Sequence, residues 1–178
     1  MTTMKQSILS AIGAVPLLFA TAIAADDQDK DEKVRANLAG YQEVPTLSSD
    51  GTATFRARIA NDDQSFDWVL TYSGLTNVTQ AHIHFAARAI AGPVVIFFCS
   101  NLGNGPPGTQ ACPTSAGTLT GTARAADVLA GAASLGIPAG DFARILAAIR
   151  AGATYANIHT VAHPPGEIRG QIHSHSDH

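Results

Sequence analysis

The sequence predicts an all-β domain, mainly an antiparallel Greek-key sandwich or barrel, with one or two short helices inserted before the last strands. Two observations carry this. Apolar and polar residues alternate over short stretches separated by turn-forming residues, as in Thr54-Phe55-Arg56-Ala57-Arg58-Ile59 and Phe66-Asp67-Trp68-Val69-Leu70. Helical spacing, by contrast, is confined to one late stretch, where Phe142, Ile145, Leu146 and Ile149 fall at i, i+3, i+4 and i+7.

Ahead of the strands lies a segment of another kind. Lys5 precedes the apolar run Ile8 to Ala24, and Ala22-Ile23-Ala24 has the A-x-A form of a signal-peptidase site. Residues 1–24 therefore read as an export signal, too short and Pro16-interrupted for a membrane span. Removing them takes away one lysine and leaves ten basic against fourteen acidic side chains, about −4 in net charge. Residues 25–34 read as a disordered acidic leader. The expected address is the periplasm or the secreted fraction, with no membrane contact after cleavage. Basic residues are scattered along the chain, which argues against a nucleic-acid partner.

Within the domain, Gly51 to Ile59 places Phe55, Ala57 and Ile59 on one face and Thr54, Arg56 and Arg58 on the other. Asn61-Asp62-Asp63-Gln64 is turn chemistry and leads to a strand at Ser65 to Tyr72, with Phe66, Trp68, Leu70 and Tyr72 together. The strand through Ala81 to Phe85 follows. Pro93 to Phe98 is a continuous apolar run, expected to be buried on both faces. Cys99 and Cys112 flank a Gly/Pro/Asn-rich loop and, in an exported chain, are expected to form a disulfide worth roughly 3 kcal/mol. Gly117 to Ala123 gives a Thr-rich strand. A helix is expected from Asp141 to Arg150 with Gly152 closing it, and a shorter second one over Asp127 to Ala133. Tyr155 to Ala162 and Glu167 to His173 return to strand.

The chemistry concentrates in histidines. His82 and His84 share one face of their strand, about 6.5–7 Å apart along the backbone. Two neutral imidazoles at that separation can converge on one transition-metal ion, and a third from another strand would complete the set. His159, on a face with Asn157 and Val161, is that third candidate, and His163 is a fourth. Strand pairing decides whether the faces meet; otherwise these histidines would hydrogen-bond backbone groups in a polar ridge. Nitrogen-rich donors suit Cu(II) best, with zinc as competitor. The terminal His173-Ser174-His175-Ser176-Asp177-His178 would be only a loose chelator, and residues 174–178 read as a His-rich tail. Glu167 and Arg169 alternate onto one face and are expected to form a structural ion pair. Asn77-Val78-Thr79 is a glycosylation sequon. No Ser-His-Asp set, phosphate loop or paired carboxylates point to a hydrolase.

Several of these stretches together resemble one known family. Leu38-Ala39-Gly40-Tyr41-Gln42-Glu43-Val44-Pro45, Ala81-His82-Ile83-His84, Gly92-Pro93-Val94, Tyr155-Ala156-Asn157-Ile158-His159-Thr160 and Pro165-Gly166-Glu167-Ile168-Arg169-Gly170-Gln171-Ile172 occur in the order seen in chordin-type (CHRD) domains. The resemblance covers about residues 35–173 and implies an all-β extracellular domain. A looser resemblance, in order alone, is to copper–zinc superoxide dismutases. His82 and His84, then His159, then Arg169 follow their sequence of metal ligands and anion-guiding arginine. The bridging histidine after Gly-Pro is replaced here by Val94, and no run supplies the zinc ligands. This implies a superoxide-dismutase-like or Ig-like sandwich with, at most, a mononuclear copper site. The resulting expectation is an exported binding module with a metal site at His82, His84 and His159. Its alternatives are a copper-dependent superoxide-handling enzyme in which Arg169 guides the anion, and a metal-free domain that binds another extracellular or periplasmic protein.

Overall fold

Val34, Ala36 and Leu38 are buried while their neighbours Lys33, Arg35 and Asn37 are exposed, and this two-residue period builds most of the molecule. The structure, a computed structural model, describes residues 32–174. The expected export signal, residues 25–31 of the leader and residues 175–178 of the tail lie outside the described residues.

The strands are β1 (Glu32–Ala39), β2 (Thr52–Ile59), β3 (Phe66–Ser73), β4 (Val78–Phe85), β5 (Val94–Ser100), β6 (Gly117–Ala123), β7 (Thr154–Thr160), β8 (Ile168–Gln171) and the short β9 (His173–Ser174), with helix α1 (Phe142–Arg150) before β7. Their order in the sheet is β5-β4-β7-β8-β1-β2-β3-β6, and β9 pairs with β1. Every pairing is antiparallel. The sheet curls into a nearly closed barrel. Gln110 bridges its two end strands: its carbonyl accepts from Ser100 N of β5 at 2.9 Å, and its amide donates to Thr120 O of β6 at 3.1 Å. Inside, Phe98 of β5 lies 4.7 Å from Trp68 of β3 and 5.1 Å from Phe55 of β2, ring centre to centre. Burying side chains of this size stabilises the fold by about 1.5–3 kcal/mol each.

The expected faces of β2 and β3 are the observed ones. Helix α1 starts where expected, with the Asp141 carboxylate accepting from Arg144 N at 3.1 Å, and Phe142 stacking on Phe66. Gly152, at φ +65, follows its C-cap. Cys99 and Cys112 are joined in a disulfide.

Three expectations are corrected. The leader was expected to run to residue 34, but Glu32 and Lys33 already pair with Ile59 and Arg58 in β1. The second helix is instead two short 3-10 turns, Ala125–Asp127 and Ala130–Leu135, because the segment lacks an apolar stripe long enough for α-helical turns. The 93–98 run is not buried on both faces throughout: Val94 and Phe97 are half-buried, since β5 is an end strand. The strand buried throughout is β7, whose every residue is covered.

Candidate metal centre

Complete burial of β7 follows from its position between β4 and β8 and from what lies on each of its faces. Ala156 and Ile158 point into the barrel core. Tyr155, Asn157 and His159 point the other way, onto the face that carries His82 and His84 of β4. Register sets His82 opposite Asn157, His84 opposite Tyr155, and His159 opposite Gln80, so His159 sits diagonally from His82. Strand alternation alone thus unites three histidines on one patch. Loop segments around Ile90–Gly92, Pro164 and Glu43 close over it through hydrogen bonds.

His82, His84 and His159 are all buried, and one ring nitrogen from each lies within 4.8 Å of the others. Two carbonyls fix two tautomers. His84 Nδ1 is 2.8 Å from Gly92 O, and His159 Nδ1 is 2.8 Å from Pro164 O. A carbonyl only accepts, so each Nδ1 carries the hydrogen and each Nε2 keeps a lone pair. His84 Nε2 stands 3.3 Å from His82 Nδ1. Two nitrogens bound tetrahedrally at about 2.0–2.1 Å from one ion would stand about 3.3–3.4 Å apart. His82 Nε2 and His159 Nε2 are buried without a hydrogen-bond partner. Orphaned buried nitrogens are costly in a finished fold. The triad could hold a metal ion.

Burial sets the protonation of these rings. Desolvation, followed by the neighbouring His159 and His84, drives the His82 pKa down to about 2. Desolvation also lowers His84 to about 4, against the Gly92 hydrogen bond and with help from His159 and Arg169. His159 is lowered by desolvation against its bond to Pro164. All are therefore neutral at ordinary pH, the form that coordinates a metal.

A second group surrounds the triad. The Tyr155 ring stacks on His84, 4.7 Å away and 3° from parallel. The Arg169 guanidinium lies 4.0 Å from the centre of the same Tyr155 ring. Gly92 N donates to the Tyr155 hydroxyl at 3.2 Å, so the Gly92 peptide holds both His84 and Tyr155. Asn157 donates to Glu43 Oε1 at 2.6 Å and to Ile168 O at 2.9 Å. Burial raises the Glu43 pKa, against Asn157 and Arg169. Gly166 is required beside this pair: a Cβ there would stand 2.8 Å from both Asn157 Nδ2 and Glu43 Oε1.

Three sequence expectations look different in this setting. His163 is outside the cluster; it lies at the turn after β7, where its backbone N–H donates to Thr160 Oγ1. The expected Glu167–Arg169 ion pair does not form. β8 begins only at Ile168, and Glu167 instead accepts from Ser49 at 2.7 Å and Thr160 at 2.6 Å. Arg169 does stand near His84 but is only 3 % exposed and donates to Ile90 O at 3.2 Å. Sequence reasoning gave no role to Glu43, Asn157 or Tyr155. Alternation with His159 could have found Tyr155 and Asn157; Glu43, on a distant turn, gave no such signal.

No curated protein matches the chain. The family model described as the CHRD domain matches residues 34–172. That span runs from β1 to the residue before β9 and takes in all three buried histidines, Glu43, Asn157 and Arg169. With most of the sequence matched, the chain belongs to the CHRD domain family.

Proposed function

We propose that this CHRD domain is an exported metal-binding module that carries one copper ion per chain on His82, His84 and His159. The observation that supports it most is the gathering of three buried histidines, one ring nitrogen of each within 4.8 Å of the others, with His159 Nε2 left without a hydrogen-bond partner. A three-nitrogen donor set favours Cu(II) over other common divalent ions, with zinc its nearest rival. When bound, copper would supply one-electron redox chemistry. The chain's own part is to hold three neutral imidazoles with two of them locked by carbonyls, and to keep water from them. An address outside the cytoplasm is supported by the N-terminal export pattern and by the Cys99–Cys112 disulfide.

Calorimetric titration with Cu(II) and Zn(II) tests this, using protein that lacks residues 175–178 so that His175 and His178 cannot bind. The parent should bind one ion per chain, and His82→Ala and His159→Ala should abolish that binding. A parent that binds nothing, or variants that bind as it does, would overturn the reading.

A second reading is superoxide dismutation at the same copper, supported by Arg169 beside His84. The 3 % exposure of Arg169 counts against an anion-guiding role. Copper-loaded protein no faster than copper on a peptide of the His-rich tail would remove this reading and leave the binding module.

A further inference from the structure

Four of the chain's eleven basic side chains stand on the outer face of β1 and β2. Register sets Arg35 directly across from Arg56, and Lys33 directly across from Arg58; all four are exposed. Like charges directly opposite on adjacent strands repel. The chain as a whole is acidic, with a formal charge of −3, so this grouping is not a by-product of a basic composition.

The same rows continue into β3 and β6, as Arg35–Arg56–Val69–Thr120 and Lys33–Arg58–Asp67–Thr122. The one carboxylate in them, Asp67, lies directly across from Arg58 and also accepts from the Thr122 hydroxyl at 2.6 Å, so the rows carry four cations against one anion. Among the described residues, Arg35 and Arg56 have no side-chain hydrogen bond or ion pair. A groove of about 800 Å³ runs over these rows. It lies on the opposite side of β1 from the barrel core and apart from the histidine site, none of whose residues line it.

We propose that this groove binds an anionic polysaccharide, its sulfate or carboxylate groups meeting the grid of Lys33, Arg35, Arg56 and Arg58. The charge complement defines an anion, and the setting favours a glycan over an acidic peptide. The backbones of β1, β2 and β3 are paired on both sides, so a peptide cannot add as a strand on this face. Val69 is the one large apolar side chain exposed in the groove, at 42 %, which leaves no pocket for the aromatic or aliphatic anchor that protein partners favour. Hydroxyls of Thr120 and Thr122 beside the cations suit a polymer of charged, hydroxylated rings.

Binding of heparin (sulfated), polygalacturonate (carboxylated) and neutral dextran to the full chain, measured by calorimetry at two salt concentrations, tests the assignment. At least one polyanion should bind, dextran should not, and affinity should fall as salt rises. Which polyanion binds more tightly tells sulfate from carboxylate as the recognised group. Arg35→Ala combined with Arg56→Ala should weaken binding about tenfold or more and reduce the salt dependence, without lowering the melting temperature, since a repulsion is removed. Arg88→Ala, an exposed cation on another loop, should leave binding unchanged. The proposal is overturned if neither polyanion binds, if dextran binds equally, or if the double variant binds like the parent. It is also overturned if polyglutamate binds through Arg35 and Arg56 while no polysaccharide does, which would make the face a site for acidic protein.

Discussion

At the residue scale, His82 and His84 are bases held below their ordinary range by burial, to about 2 and about 4. The unfolded chain takes up a proton on each near pH 6.5, while the folded, metal-free protein does not. Stability of the metal-free form is therefore full above pH 6.5 and falls as pH drops below it. By pH 5 the loss should be about 2 kcal/mol for each of the two rings. Glu43, with its pKa raised, has the opposite sign: its folded form keeps a proton to higher pH than the unfolded chain, so acid relieves rather than adds its cost. Urea unfolding of metal-free protein at pH 7.5 and pH 5 measures the sum, and an unchanged midpoint would show that the rings are not buried neutral. The histidines themselves were legible because alternation and spacing are properties of the side-chain sequence. Their supports were not: Gly92 O, Pro164 O, Ile90 O and Ile168 O are backbone carbonyls, a group every residue carries.

At the scale of elements, strands with one covered face could be read directly, as β2 and β3 were, because their burial alternates. β7 was also expected as a strand, at Tyr155 to Ala162, but its complete burial could not be read, since both of its faces are covered, one by the core and one by loops that come from elsewhere in the chain. The Gly92 segment is the most demanding of these loops. A Cβ on Gly92 would stand 2.0 Å from Phe85 O and 2.8 Å from the Ala86 Cβ. Gly92→Ala must therefore displace the carbonyl that orients His84 and the N–H that holds Tyr155. Forced overpacking of this kind costs about 1–3 kcal/mol, and loss of a ligand-orienting hydrogen bond weakens metal binding about 10–100-fold. Thermal melting with and without copper, together with titration, separates the two effects. A variant with the parent's copper affinity would show that the Gly92 carbonyl does not set the His84 ring.

At the scale of the whole molecule, the barrel is closed by covalent and side-chain links rather than by a last ladder of backbone bonds. The Cys99–Cys112 disulfide and Gln110 join the end of β5 to the approach to β6. Replacing both cysteines by alanine should cost about 3 kcal/mol, the value for a loop of this length. It should leave copper affinity nearly unchanged, because Cys99 pairs with Ala81, whose side chain faces the core, away from His82. Chemical denaturation measures the first and titration the second; a midpoint equal to the parent's would mean that the bridge adds nothing to closure. The pairing of the cysteines was readable from sequence, whereas the order of strands around the barrel depends on contacts between residues far apart in the chain and left no local trace.

The first and last strands of the domain are neighbours. β1 pairs with β9, with Val34 across from Ser174, and the Ser174 hydroxyl donates to Glu32 at 3.3 Å. A polypeptide that enters and leaves a fold at one place can be spliced into a surface loop of a host protein, or strung in tandem copies, without distorting either party. The same adjacency means that a short linker from Ser174 to Glu32 would make a closed ring, which could be reopened at the exposed 61–64 turn to give a circular permutant with every strand pairing intact.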